Sequence, residues 1–137
     1  MSRIYFTDRN LGKRFPEILI SAGLQVERHH DLFPQDGSDE QWLEYCGRKN
    51  RVAITQDERI RYRPNEIAAI KQYCVAVLIV VGKARFSELA ENFVVTLPKI
   101  ESFLLEHHPP WIAKVYRPRP EDQQTLGRIN LWWPLAS

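Results

Sequence analysis

Two periodicities of apolar residues alternate along the chain. Short apolar-rich runs recur at 3–7 ("RIYFT"), 24–28 ("LQVER"), 51–55 ("RVAIT"), 75–81 ("VAVLIVV") and 111–118 ("WIAKVYRP"). Each predicts a strand. Between them apolar residues recur every three to four positions. Leu11, Phe15, Ile18, Leu19 and Ala22 form a helical stripe that stops at Gly23. Ser38 with Gln41 three residues on reads as a capping box, and Trp42, Tyr45 and Cys46 supply the apolar side of the helix it opens. A turn around Pro64 precedes a helix over "NEIAAIKQY", and a long helix spans 86–106, with a kink or break expected at Pro98. Residues 29–37, "HHDLFPQDG", read as a polar loop.

Strand and helix therefore alternate. That order predicts an α/β domain, a parallel sheet of about five strands with helices on both faces, and "VAVLIVV" at its centre. There is no internal repeat and no linker before about residue 118, so one domain is expected over 1–118 and a C-terminal tail over 119–137.

Composition narrows the class. The 137 residues suffice for one core, and 44% hydrophobic with 26% charged residues is ordinary for a globular protein. A net charge of +2 does not by itself argue for nucleic acid. Cys46 and Cys74 lack the spacing of a zinc site or a disulfide framework and read as reduced core residues of a cytoplasmic protein. No signal peptide is expected, and the longest apolar run, 74–82, is too short to span a bilayer, so no membrane partner is expected.

The topology gives the charges their meaning. In a parallel sheet every strand ends at one edge and every following helix begins there. Asp8 follows the first strand, Asp31 and Asp36 lie after the second, Asp39 and Glu40 open the next helix, and Asp57 and Glu58 follow the third strand: seven carboxylates at the edge where open α/β sheets bind ligands. Singly, Asp8 and Asp57 serve as helix caps, and Asp39 and Glu40 complement a helix N-terminus. Collectively, Asp8, Asp39 and Asp57 converge, and converging like charges call for a hard divalent cation such as Mg²⁺ or Mn²⁺. Arg9, Lys13 and Arg14 follow Asp8, and Arg59, Arg61 and Arg63 follow Asp57, which sets a basic rim around the acidic centre.

"FTDRNLGKR" and "SDEQWLEYCGRKNRVAITQD" resemble the PIN-like domains, in particular the short ones similar to VapC-type toxins. The resemblance covers residues 3 to about 81 and rests on an acid after the first strand, an acid opening a helix, and a terminal "TQD". It implies a three-layer α/β/α fold and a metal-dependent ribonuclease, the toxin of a toxin–antitoxin pair. Carried over, Asp8, Asp39 and Asp57 become the Mg²⁺ or Mn²⁺ ligands, with Thr55 and Asn10 as supporting polar groups. Glu40 or Glu58 would orient the attacking water, and Arg9, Asn10, Lys13, Arg59 and Arg61 would bind substrate. Larger PIN domains carry a further acid on a helix between the first and third motif positions. Here that stretch is a loop, with Asp31, Asp36 or Glu40 in its place. The implied partners are RNA and an antitoxin protein.

Two rival readings stay open. A receiver-like phospho-switch would gather carboxylates and Mg²⁺ at the same edge, with Asp57 as phosphoacceptor, but it wants a second acid where Arg9 stands and a Lys where Arg117-Pro118 stands. A PIN-like binding module without catalysis is the other. His29-His30 and His107-His108 are adjacent pairs without metal-site spacing. Trp132 and Trp133 are expected to dock onto the chain's own sheet edge, onto a second copy in a homodimer, or onto a partner.

Overall fold

Period-two alternation sorts the strand residues onto two faces of one sheet. In the computed structural model, which describes residues 3–119 and 126–134, the strands are β1 Ile4–Thr7, β2 Gln25–Arg28, β3 Val52–Thr55, β4 Ala76–Val80, β5 Trp111–Tyr116 and β6 Arg128–Trp133. Their order is β2-β1-β3-β4-β5-β6, and the first five run parallel. Tyr5, Ile54, Leu78 and Ala113 point into one cluster, while Phe6, Ala53, Val77 and Ile112 point into the other.

Helices α1 (Arg14–Ser21) and α5 (Phe86–Glu106) cover the first face with Phe15, Leu19, Phe93 and Ile100. Helices α3 (Asp39–Lys49) and α4 (Pro64–Tyr73) cover the second with Trp42, Leu43, Cys46 and Ile70. Phe6 stacks on Trp42 with ring centroids 5.6 Å apart, which ties β1 directly to α3. The result is the expected three-layer α/β/α arrangement.

Several local features differ from the expectation. The "HHDL" stretch of the polar loop winds into a single helical turn, α2 (His29–Leu32), with His29 buried. Ser38 occupies the N-cap position of α3, but its side chain makes no capping bond; only its carbonyl is used, accepting from the Gln41 amide at 3.2 Å. Pro98 does not end α5, because Leu89, Phe93, Ile100 and Phe103 pin both halves of the helix to the sheet. Cys46 is buried as read, whereas Cys74 is exposed: it follows the last turn of α4 in a left-handed cap conformation with φ 55°.

The largest difference is at the C-terminus. Part of the segment read as a tail, residues 128–133, is an antiparallel sixth strand beside β5. The rest of that segment apart from 119, 126, 127 and 134 lies outside the described residues. A buried polar ladder on α5 docks its start. Asn92 Nδ2 donates to the Tyr116 carbonyl (3.2 Å), Thr96 Oγ1 donates to Asn92 Oδ1 (3.2 Å), and the Gly127 amide donates to Thr96 Oγ1 (3.0 Å). Trp132 and Trp133 then pack on the α3–α4 side, so the chain's own sheet receives them.

Candidate active site

Strand order determines where the acids meet. The chain passes from β1 outward to β2 and then returns to the other side of β1 as β3, so the direction of winding switches between β1 and β3. Side chains at the carboxyl ends of those strands flank the crevice such a switch opens. Asp8 follows β1, Asp57 follows β3, and Asp39 starts α3 after the β2–α2 excursion. The Asp8 amide donates to the Ile54 carbonyl at 2.9 Å, which locks the two strand ends together.

Thr55, fully buried, is the hub between two of the acids. Its hydroxyl donates to Asp8 Oδ2 (2.8 Å) while its oxygen accepts from the Asp57 amide (3.1 Å) and from Asn10 Nδ2 (3.0 Å). Asn10 Oδ1 accepts from the Gln56 amide at 3.2 Å, completing the lock between the turn after β1 and the loop after β3. Asp8 Oδ1 caps the turn at 9–11 by accepting from the Arg9 amide at 2.7 Å. The capping role read for Asp8 is thus real, and it coexists with the cluster.

Electrostatics distinguishes Asp8 from an ordinary cap. Its pKa is raised, first by burial, with the nearby Asp39 and Asp57 charges pushing the same way against the Thr55 and Arg9 hydrogen bonds. A folded-state pKa above the unfolded value means that folding favours the protonated carboxyl. The associated stability is fully present below the ordinary carboxylate range and is lost as pH rises through the raised value. In EDTA, wild type should therefore lose stability relative to Asp8→Asn as pH rises across that interval. A difference independent of pH, measured by denaturant melts of both proteins, would place Asp8 in an unstrained environment.

The other two acids share a counter-ion. Arg63 pairs with Asp57 Oδ2 in a short contact and lies 3.8 Å from Asp39 Oδ2. Asp57 Oδ1 accepts from the Arg59 amide (3.0 Å), and Asp39 Oδ1 accepts from Trp42 Nε1 (3.0 Å). Arg63 precedes Pro64, which disfavours helical backbone at Arg63; it is held extended (φ −99°, ψ 114°) at the start of α4.

Not every residue singled out in the sequence joins this centre. Arg9 spends its guanidinium on α2: Nε donates to His29 Nδ1 (3.2 Å), Nη2 donates to the Phe33 carbonyl (2.8 Å), and Nη1 lies 2.9 Å from His30 Nδ1. Together with Lys13, it borders a pocket of about 180 Å³ against Asp8. Asp31 is paired with Arg28 (2.9 Å), and Asp36 is exposed. Glu40 is exposed and lines the groove between α3 and α4 with Glu44 and Asn65, apart from the three aspartates. Glu58 accepts from Lys114 Nζ at 3.1 Å. Arg59 is exposed, and Arg61 lies over Trp132. Lys114, on β5, was not legible as a site residue, since only the neighbouring of β4 and β5 brings it to the loop after β3.

The donor set suits a hard divalent cation: three carboxylates on separate elements, one desolvated and two already drawn around a positive charge. Among the described residues no three side chains stand at ligating geometry, and the Arg63 guanidinium holds part of that space.

A family model described as "PIN like domain" matches residues 4–82, more than half of the chain. The protein belongs to the PIN-like domain family. The match contains Asp8, Asp39 and Asp57 and ends just after β4. Comparison with curated proteins and with solved structures finds no match. PIN-like domains are commonly nucleases that act on RNA and typically use divalent metals. Of the described helices none is long and apolar enough to cross a membrane.

Proposed function

We propose that this PIN-like protein is a ribonuclease that hydrolyses RNA phosphodiester bonds with Mg²⁺ or Mn²⁺ held by Asp8, Asp39 and Asp57. The observation that carries the reading is the meeting of these three acids at the switch between β1 and β3, with Asp8 desolvated there. A divalent cation at such a site lowers the pKa of a bound water and stabilises negative charge on the phosphoryl oxygens. The chain's own residues supply the frame. Thr55 and Asn10 hold Asp8 and the Asp57 backbone in register, Trp42 orients Asp39, and exposed Lys13, in one pocket with Asp8, and Arg59, whose amide binds Asp57, would offer cations to substrate phosphates. The role of toxin partnered by an antitoxin protein, acting in the cytoplasm, rests on the resemblance to short VapC-type domains.

The direct test is incubation of labelled RNA with the protein in Mn²⁺ and in EDTA. Cleavage in Mn²⁺ alone supports the reading. Intact RNA in both supports a PIN-like binding module instead, a second reading favoured by the Arg63 ion pair that already neutralises two of the acids.

Arg63 provides an independent check that does not depend on turnover. A guanidinium between Asp39 and Asp57 competes with a metal ion for the same charge. Arg63→Gln should lower the melting temperature in EDTA and enlarge the rise produced by Mn²⁺, because a ligand specific for the folded state stabilises it by mass action. An Mn²⁺-induced rise no larger than that of wild type would place the ion elsewhere.

A further inference from the structure

Strand β6 lies beyond the residues matched by the family model, yet it brings Trp132 against the loop that follows Asp57. Tyr62 belongs to that loop and is 69% exposed, the one aromatic among the exposed large apolar side chains of the described residues. It is not loose. Trp132 meets it edge-on, with centroids 5.9 Å apart and planes at 88°. The Arg61 guanidinium lies 5.4 Å from the Tyr62 centroid and 4.8 Å from that of Trp132, so both rings hold it. Lys114 sits 3.8 Å from the Trp132 centroid, with its charge paired to Glu58 at 3.1 Å.

Tyr62 thus offers an exposed, oriented ring with a guanidinium beside it. It suits a nucleic-acid base, whose π-face stacks on the ring while an adjoining phosphate meets the guanidinium. Its position agrees: Tyr62 directly precedes Arg63, which touches both Asp39 and Asp57. We infer that Tyr62, braced by Trp132, is a stacking platform for an unpaired base of single-stranded RNA next to the acid cluster, with Arg61 supplying positive charge to the flanking backbone. This rests on the ribonuclease reading and adds to it the side chain that holds a base.

The test is binding of a labelled single-stranded oligoribonucleotide and of its duplex, by fluorescence anisotropy, alongside Mn²⁺-dependent cleavage. Tyr62→Ala should weaken single-strand binding by roughly tenfold, the scale of one lost base–aromatic stack, and raise KM more than it lowers kcat. Tyr62→Phe keeps the ring and should stay within about twofold of wild type. Because Tyr62 is exposed, neither change should disturb folding. If wild type cleaves RNA while Tyr62→Ala keeps its single-strand affinity and KM, the platform is wrong and the ribonuclease reading stands. Equal weakening of single strand and duplex, or loss in Tyr62→Phe as well, also overturns the platform. A wild type that neither binds nor cleaves RNA removes both.

Discussion

Asp8→Asn is expected to reduce Mn²⁺-dependent RNA cleavage by at least about a hundredfold, beyond the range seen when only the outer partners of metal ligands are removed. The fold should survive. Asn keeps the size of Asp, and one side-chain oxygen remains to accept from the Arg9 amide or the Thr55 hydroxyl. What disappears is a carboxylate that burial and two neighbouring acids already disfavour in its charged form. The lost hydrogen bond and the relieved desolvation oppose each other, so the metal-free melting temperature should move by only a few degrees, the equivalent of about 1 kcal/mol. The substitution should also abolish most of the stabilisation that Mn²⁺ confers on wild type. Full cleavage by Asp8→Asn would reduce Asp8 to the cap of the turn at 9–11. Collapse of the fold in EDTA would instead make the Thr55–Asp8 bond a structural necessity.

Gly47→Ala is expected to destabilise the protein strongly, against the usual trend. Gly47 lies inside α3, where replacing glycine by alanine ordinarily gains about 1 kcal/mol of helix stability. Here a Cβ would lie 2.2 Å from the Tyr73 carbonyl oxygen and 2.5 Å from the Tyr73 Cβ, at the end of α4. Backbone cannot yield as the tip of a flexible side chain can, so α3 and α4 would have to separate. Forced overpacking of this kind costs about 1–3 kcal/mol or more, which outweighs the propensity gain. A drop in melting temperature of roughly 5–15 °C should follow for a domain of this size. Because α3 carries Asp39 and α4 begins next to Arg63, the separation should also weaken the response to Mn²⁺. A melting temperature equal to or above that of wild type would mean that the two helices are not in backbone contact at Gly47.

Much of this architecture is written locally. The runs Ile4–Thr7, Val52–Thr55 and Ala76–Val80 are apolar over strand-like lengths, and the stripe Leu11, Phe15, Leu19 has one helical face, so their elements follow from periodicity alone. The alternation of strand and helix implies a parallel sheet, and a parallel sheet delivers Asp8 and Asp57 to one edge whatever the details of packing. Side-chain partnerships were decided only by tertiary structure, because they depend on which strands become neighbours. Arg9 turned to His29, His30 and Phe33, although its place in sequence beside Asp8 suggested a substrate contact. Arg63 reached Asp57 and Asp39 across a turn whose direction Pro64 helps to set. Residues 128–133 carry a weak strand pattern, with Asn130 and Arg128 among the apolar positions. An edge strand needs only one buried side, so its own sequence says little. The free hydrogen-bonding edge of β5 and the buried Asn92–Thr96 ladder on α5 determine where it pairs, and that pairing alone carries Trp132 to Tyr62.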